Sequence, residues 1–173
     1  MSWELRVWLP ALPPSLSNVD LTTIERRTDH YALGFGADVG VKRRGGHEVL
    51  EVKTLERRKR RGCEKWRKTK PDATSDRTWV GCAKCRAKTT LPPPHDGVRV
   101  EVADVVFDNG VASKSVAFER GKPKDLYAAC AAVFGLGDEW KAADLADALG
   151  PRGFVGGYPT ALLEFGVDAS NDR

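Results

Sequence analysis

The sequence predicts an α+β fold: an antiparallel β-sheet, either solvated on one side or curled into a barrel with a charged lumen, flanked by helices. Three observations carry this prediction. Four segments, widely separated in the chain, alternate with period two. Each of them has an apolar face and a face bearing charges of both signs. Two later segments instead repeat their apolar residues at helical spacing.

The first strand is Ser2 to Leu9, with Trp3, Leu5, Val7 and Leu9 on one face and Ser2, Glu4, Arg6 and Trp8 on the other. Pro10, Pro13 and Pro14 end it. Residues 15 to 27 are expected to hold a short helix capped by Ser17 or Asn18, with Leu16, Leu21 and Ile24 on one side. The stretch DVGVKRRGGHEVLEVKT, residues 38 to 54, reads as a hairpin turning at Gly45 and Gly46. That turn pairs Arg43 with Glu48, Val41 with Leu50 and Val39 with Val52, and puts Lys42, Arg44, Glu51 and Lys53 on one common face. Period is lost between Glu56 and Gly97, which reads as a long, mobile inserted loop ending in TTLPPPHDG.

Alternation returns with Val98, Val100 and Val102 facing one way and Arg99, Glu101 and Ala103 the other. Asp108, Asn109 and Gly110 carry hairpin-turn chemistry. The next strand, Ser113 to Glu119, sets Val116 and Phe118 against Ser115, Ala117 and Glu119. A helix from Pro123 to Leu136 presents Leu126, Cys130, Val133 and Phe134. A second, capped by Asp138, carries Trp140, Leu145 and Leu149 and stops at Gly150 and Pro151. The apolar stretch from Ala161 to Phe165 is expected to return to the sheet, and GVDASNDR to form a loose tail.

With 173 residues, 41% of them hydrophobic, the chain is long enough for one domain with a real core, residues 1 to 173, carrying the basic insert at about 56 to 97. The net charge of +4 hides an asymmetry: residues 57 to 88 hold 13 Lys or Arg against 3 Asp or Glu, so the remainder is acidic. Glu4 and Arg6 interrupt any apolar run near the start, which argues against a signal peptide. No run reaches the roughly 18 apolar residues of a membrane span. Four cysteines are too few for a disulfide scaffold at this length, and reduced thiols in the cytoplasm or nucleus are the expectation.

ELRVWL at the start, RTDHY at 27 to 31, VGVKRRGGHEVLEVK at 39 to 53, VRVEVADVVFDNG at 98 to 110, SVAFER at 115 to 120 and GGYPTALLEF near the end together resemble the CYTH superfamily of triphosphate tunnel metalloenzymes. That group includes thiamine, inorganic and RNA triphosphatases and class IV adenylyl cyclases. The resemblance implies an antiparallel barrel of about eight strands that binds a triphosphate through inward Lys and Arg, and hydrolyses it with Mg²⁺ or Mn²⁺ held by glutamates. Carried over by position, Arg27, Lys42, Arg44, Lys53 and Arg99 would bind the substrate phosphates. Glu4, Glu101 and Glu119 would hold the metal. Alternation alone already puts all of these except Arg27 on the charged faces.

The family's first motif is Glu-x-Glu-x-Lys, and here the three positions are Glu4, Arg6 and Trp8. Losing a carboxylate and gaining a fixed cation weakens a Mg²⁺ site, because the ion needs anionic oxygen ligands. Phosphate binding by charge-assisted contacts does not need the metal. The resemblance therefore implies two alternatives. One is a triphosphate- or polyphosphate-hydrolysing tunnel. The other is an inactive member of the fold that binds polyanions or RNA through residues 57 to 88, where RRKRR, KWRKTK, Trp66 and Trp79 combine basic and stacking groups. A third reading takes Cys82 and Cys85 as a CxxC, with Cys63 and His95 completing a zinc site, although the 18- and 9-residue gaps fit no common zinc module.

Overall fold

Period-two alternation becomes a closed barrel. A computed structural model describes residues 2–17, 24–44, 50–69 and 78–167. Its strands are β1 (Ser2–Leu9), β2 (Glu25–Ala32), β3 (Val39–Arg44), β4 (Leu50–Arg58), β5 (Glu64–Thr69), β6 (Trp79–Thr90), β7 (Arg99–Phe107) and β8 (Ala112–Glu119). All pair antiparallel, in the order β5-β4-β3-β2-β6-β7-β8-β1, and β1 pairs back onto β5. One edge of β1 runs along β8 from Glu4↔Glu119 to Leu9↔Lys114. The other edge pairs β5 near Trp3 and a short ninth strand, β9 (Phe154–Val155), at Val7 and Trp8. Closure satisfies backbone groups that an open sheet would leave at its edges.

The helices are α1 (Pro14–Ser17), α2 (Pro123–Phe134), α3 (Ala142–Leu149) and α4 (Tyr158–Glu164). None of the described helices is long and apolar enough to cross a membrane. The outward apolar faces of β1, β7 and β8 meet α2 and α3: Leu5, Val7, Val100, Val102, Val116 and Phe118 pack with Leu126, Cys130, Val133, Leu145 and Leu149 in one buried cluster. Fully burying each such side chain stabilises the fold by about 1.5–3 kcal/mol. Pro123 opens α2, and the Asp125 carboxylate accepts from the Lys122 amide at 3.0 Å. Asp144 does the same for the Lys141 amide at 2.6 Å, so α3 starts there and Asp138 is not its cap.

Four further expectations are corrected. Residues 56 to 97 are not one inserted loop, because β4 runs on to Arg58 and β5 and β6 follow. The turn from β4 into β5 is tight: the Lys59 amide donates to Cys63 O at 2.8 Å, and Gly62 takes φ +82°, where a side chain is disfavoured. The 3–4 hairpin pairs Val41 with Val52 and Lys42 with Glu51, two residues away from the expected register. A two-residue slip preserves every face, because side chains alternate with period two. Its turn at Gly45 and Gly46 lies outside the described residues, as does most of the expected tail. Of the helix expected over residues 15 to 27, residues 15–17 end α1, residues 18–23 lie outside the described residues, and residues 25–27 open β2, which also carries Asp29. Ala161 to Glu164 belong to α4, and the return to the sheet is made just upstream by β9.

Candidate functional site

Inside the barrel, the walls made by β1, β2, β6 and β7 grade from apolar to charged. Along β7 the inward residues run Phe107, Val105, Ala103, Glu101, Arg99; along β6 they run Val80, Cys82, Lys84, Arg86, Lys88. Trp8, Arg6 and Glu4 on β1 and Tyr31, Asp29 and Arg27 on β2 repeat the gradient.

The apolar end is filled by α4. Ala161 and Leu162 join Trp8, Tyr31, Val105 and Phe107 in a second core inside the barrel. The Trp8 indole N–H donates to Gly156 O at 2.8 Å, and its ring meets Tyr158 edge-on at 5.0 Å. Tyr158 stacks on Tyr31 at 5.3 Å. Pro159 lies directly against Gly40 of β3, where even a Cβ would come within 3.1 Å of it. The Gly157 amide donates to Glu64 at 3.1 Å, tying this plug to the β1–β5 seam.

The charged end is a cavity of about 250 Å³. Among the described residues, nine cations line it: Arg6, Arg27, Lys42, Arg44, Lys53, Lys84, Arg86, Lys88 and Arg99. Four carboxylates share the lining: Glu4, Glu51, Glu101 and Glu119. Counting buried Asp29 behind them, positive charge still exceeds negative by four. Side-chain exposure grades from 2% at Lys84 through 14% at Lys42 to 48% at Arg44, so the cations extend from the closed end to the mouth.

All eight residues expected from the sequence to bind substrate or metal line this one cavity. Alongside them are Lys84, Arg86 and Lys88, which the loop reading passed over. Their signal was present in CAKCRAK, where inward Cys82, Lys84, Arg86 and Lys88 fall at every second position and the intervening residues are small.

Three carboxylates organise the cations. Asp29, fully buried, lies 2.9 Å from Lys84 Nζ, 3.6 Å from Lys42 Nζ and 3.1 Å from Arg27 Nε, and Lys84 also donates to the Tyr31 hydroxyl at 2.6 Å. Glu51 faces Arg44 at 3.0 Å, Lys68 at 3.4 Å and Lys42 at 3.6 Å. Glu101 faces Arg86 at 2.8 Å, Arg6 at 3.1 Å and Lys88 at 3.5 Å. Burial pushes the ammoniums of Lys42 and Lys84 down to about 8, overriding the pull of Asp29.

Burial by itself would raise the Glu101 carboxyl, and the Arg6 and Arg86 guanidiniums outweigh it, taking it down to about 2. A depressed carboxylate stabilises the fold above its ordinary range, and that stability disappears as pH falls toward its folded value. The contribution is about 3 kcal/mol at neutral pH. Thermal melts should accordingly place Glu101→Gln well below wild type at neutral pH, with the gap closing between about pH 5 and about pH 2. A gap of constant size across that range would refute the assignment.

The carboxylates expected to hold a metal have other partners. Glu4 accepts from Arg6 Nε at 2.7 Å, Glu101 is shared by Arg6 and Arg86, and Glu119 pairs with Arg99. A divalent ion would need anionic oxygens converging on one point. No group of three or more His, Cys, Asp or Glu side chains among the described residues is placed to hold one. The residues present do not fit a catalytic Mg²⁺ or Mn²⁺.

The zinc set is not assembled either. Cys82 faces the inner core and Cys63 the outer one, while Cys85, three residues from Cys82 on the same strand, points to the opposite side of the sheet.

Several described side chains of the basic run make contacts with the body of the barrel, while Arg57, Arg60, Arg67 and Lys68 stay exposed. Arg58 reaches Glu64 at 3.0 Å, Lys59 lies over the Trp3 ring, and Arg61 lies 5.3 Å from the Tyr127 ring and 5.0 Å from that of Trp140. The Trp66 indole is buried with its N–H on Glu64, and Trp79 is partly exposed, with Arg43 over its ring at 4.3 Å. No family model matches the chain, and no curated protein matches it.

Proposed function

We propose that the barrel is a binding tunnel for a triphosphate or inorganic polyphosphate, held by the inward Lys and Arg side chains. One observation carries the reading: nine cations against five carboxylates around a cavity closed at one end by α4. Low-dielectric walls concentrate the field of such an excess charge on whatever enters the mouth. The volume, just under the roughly 300–1,000 Å³ of small-molecule pockets, suits a compact, highly charged ligand. Because the cations cluster around Asp29, Glu51 and Glu101 on different walls, a chain of linked phosphates engages more of them than a single phosphate does. The CYTH-like sequence pattern points to the same ligand class.

Binding is favoured over metal-assisted hydrolysis because the acidic oxygens such a reaction would use are engaged by guanidinium groups. Binding through an external basic loop has less support, since the basic segment contributes to β4, β5 and β6 and its Lys84, Arg86 and Lys88 point into the lumen.

Calorimetric titration tests the reading. Tripolyphosphate should bind more tightly than pyrophosphate, and orthophosphate least, with affinity falling steeply as salt is raised. Lys42→Ala should weaken tripolyphosphate by roughly ten- to a hundredfold, the loss of one charge-assisted contact. Absence of tripolyphosphate binding by a folded wild-type protein would refute the reading.

A further inference from the structure

We infer that Arg6 stands in for a divalent cation, so that the tunnel takes its polyphosphate as the metal-free anion. This rests on the polyphosphate reading and specifies the form of ligand accepted. The Arg6 side chain is 5% exposed, projects from β1 into the lumen, and has each guanidinium nitrogen engaged. Its Nε donates to Glu4 at 2.7 Å, one terminal nitrogen to Ser115 Oγ at 2.9 Å and the other to Glu101 at 3.1 Å, and the group lies 4.9 Å from the Tyr158 ring.

Two carboxylates from different strands thus converge on one buried cation attached to the chain, in the arrangement by which acidic side chains would otherwise share a metal ion. A divalent ion entering here would have to break both ion pairs and then sit beside a guanidinium that cannot leave. Arg does not lose its proton at any ordinary pH, so the substitute charge is permanent. Complexation by Mg²⁺ also strips negative charge from a polyphosphate, leaving less for the other lumen cations to attract. Added Mg²⁺ therefore competes with the tunnel for its ligand.

Titration of the wild-type protein with tripolyphosphate, once in EDTA and once in excess Mg²⁺, tests this. Apparent affinity should be at least about tenfold weaker with Mg²⁺. Mn²⁺ added without phosphate should give no stoichiometric site by electron paramagnetic resonance. Arg6→Glu, if folded by circular dichroism, should reverse the dependence and bind better with Mg²⁺, while Arg6→Lys keeps the wild-type sign. Binding that requires Mg²⁺, or a stoichiometric Mn²⁺ site in the wild type, would overturn the inference while leaving the polyphosphate reading intact. Absence of binding in both buffers overturns the polyphosphate reading and this inference with it.

Discussion

Asp29→Ala lowers the melting temperature by roughly 6–20 °C. Asp29 is fully buried and is the shared counter-ion of Lys84, Lys42 and Arg27. Removing one partner of a buried ion pair leaves an uncompensated charge and costs about 3–5 kcal/mol, and at this chain length each kcal/mol is about 2–4 °C. The cost here falls mainly on Lys84, which is 2% exposed and has the Tyr31 hydroxyl and the Tyr158 ring as its only other close partners among the described contacts. The double variant Asp29→Ala/Lys84→Met removes the stranded ammonium and should recover most of the loss, since apolar replacement of a whole buried pair is often neutral or stabilising. Differential scanning calorimetry of wild type, both single variants and the double variant gives the interaction energy directly. Additive single effects would show that Asp29 acts through something other than Lys84.

Trp8→Ala is the second large effect, at about 3–5 kcal/mol. Trp8 is fully buried, its ring meets Phe107, Phe154, Tyr158 and Phe165, and its N–H holds the Gly156 carbonyl. It is the shared wall between barrel and plug, so truncation opens a void just where α4 seats. Chemical denaturation should show a lower midpoint with an unchanged slope. Trp8→Phe keeps an aromatic ring and loses the hydrogen bond, at a cost of about 1 kcal/mol from that bond. Equal losses for Ala and Phe would place the stabilisation in the hydrogen bond and not in ring packing.

Period-two alternation proved the strongest guide to this molecule. Lys42, Arg44, Glu51 and Lys53 were assigned correctly to one face even though the hairpin register was two residues off, because a shift of two leaves every face unchanged. Lys84, Arg86 and Lys88 escaped the same logic. On β6 the contrast between faces is charged against small, not charged against apolar, so a strand pattern looked like a solvated basic loop.

Trp8 reads from alternation only as a member of the charged face of β1, and its role as the anchor of a plug depends on Gly156, 148 residues later and just ahead of α4. The sequence does not distinguish α4 from a strand, because ALLEF is too short for periodicity to separate a strand from a buried helical turn. The engagement of Glu4 and Glu101 by Arg6 joins β1 to β7, and no local pattern encodes it.

The closing strand also imposes an order of events on folding. β1 is made early, yet Ser115, which accepts from its Arg6, comes 109 residues later. Until β8 exists, the apolar flank of β1 and its backbone edge have no native partner on that side, so the barrel cannot be sealed from its N-terminal half during synthesis. Such non-local pairing folds slowly and leaves an aggregation-prone strand waiting. The charges at Glu4 and Arg6 interrupt its apolar run during that interval, so the pair that shapes the lumen also guards the unfinished chain.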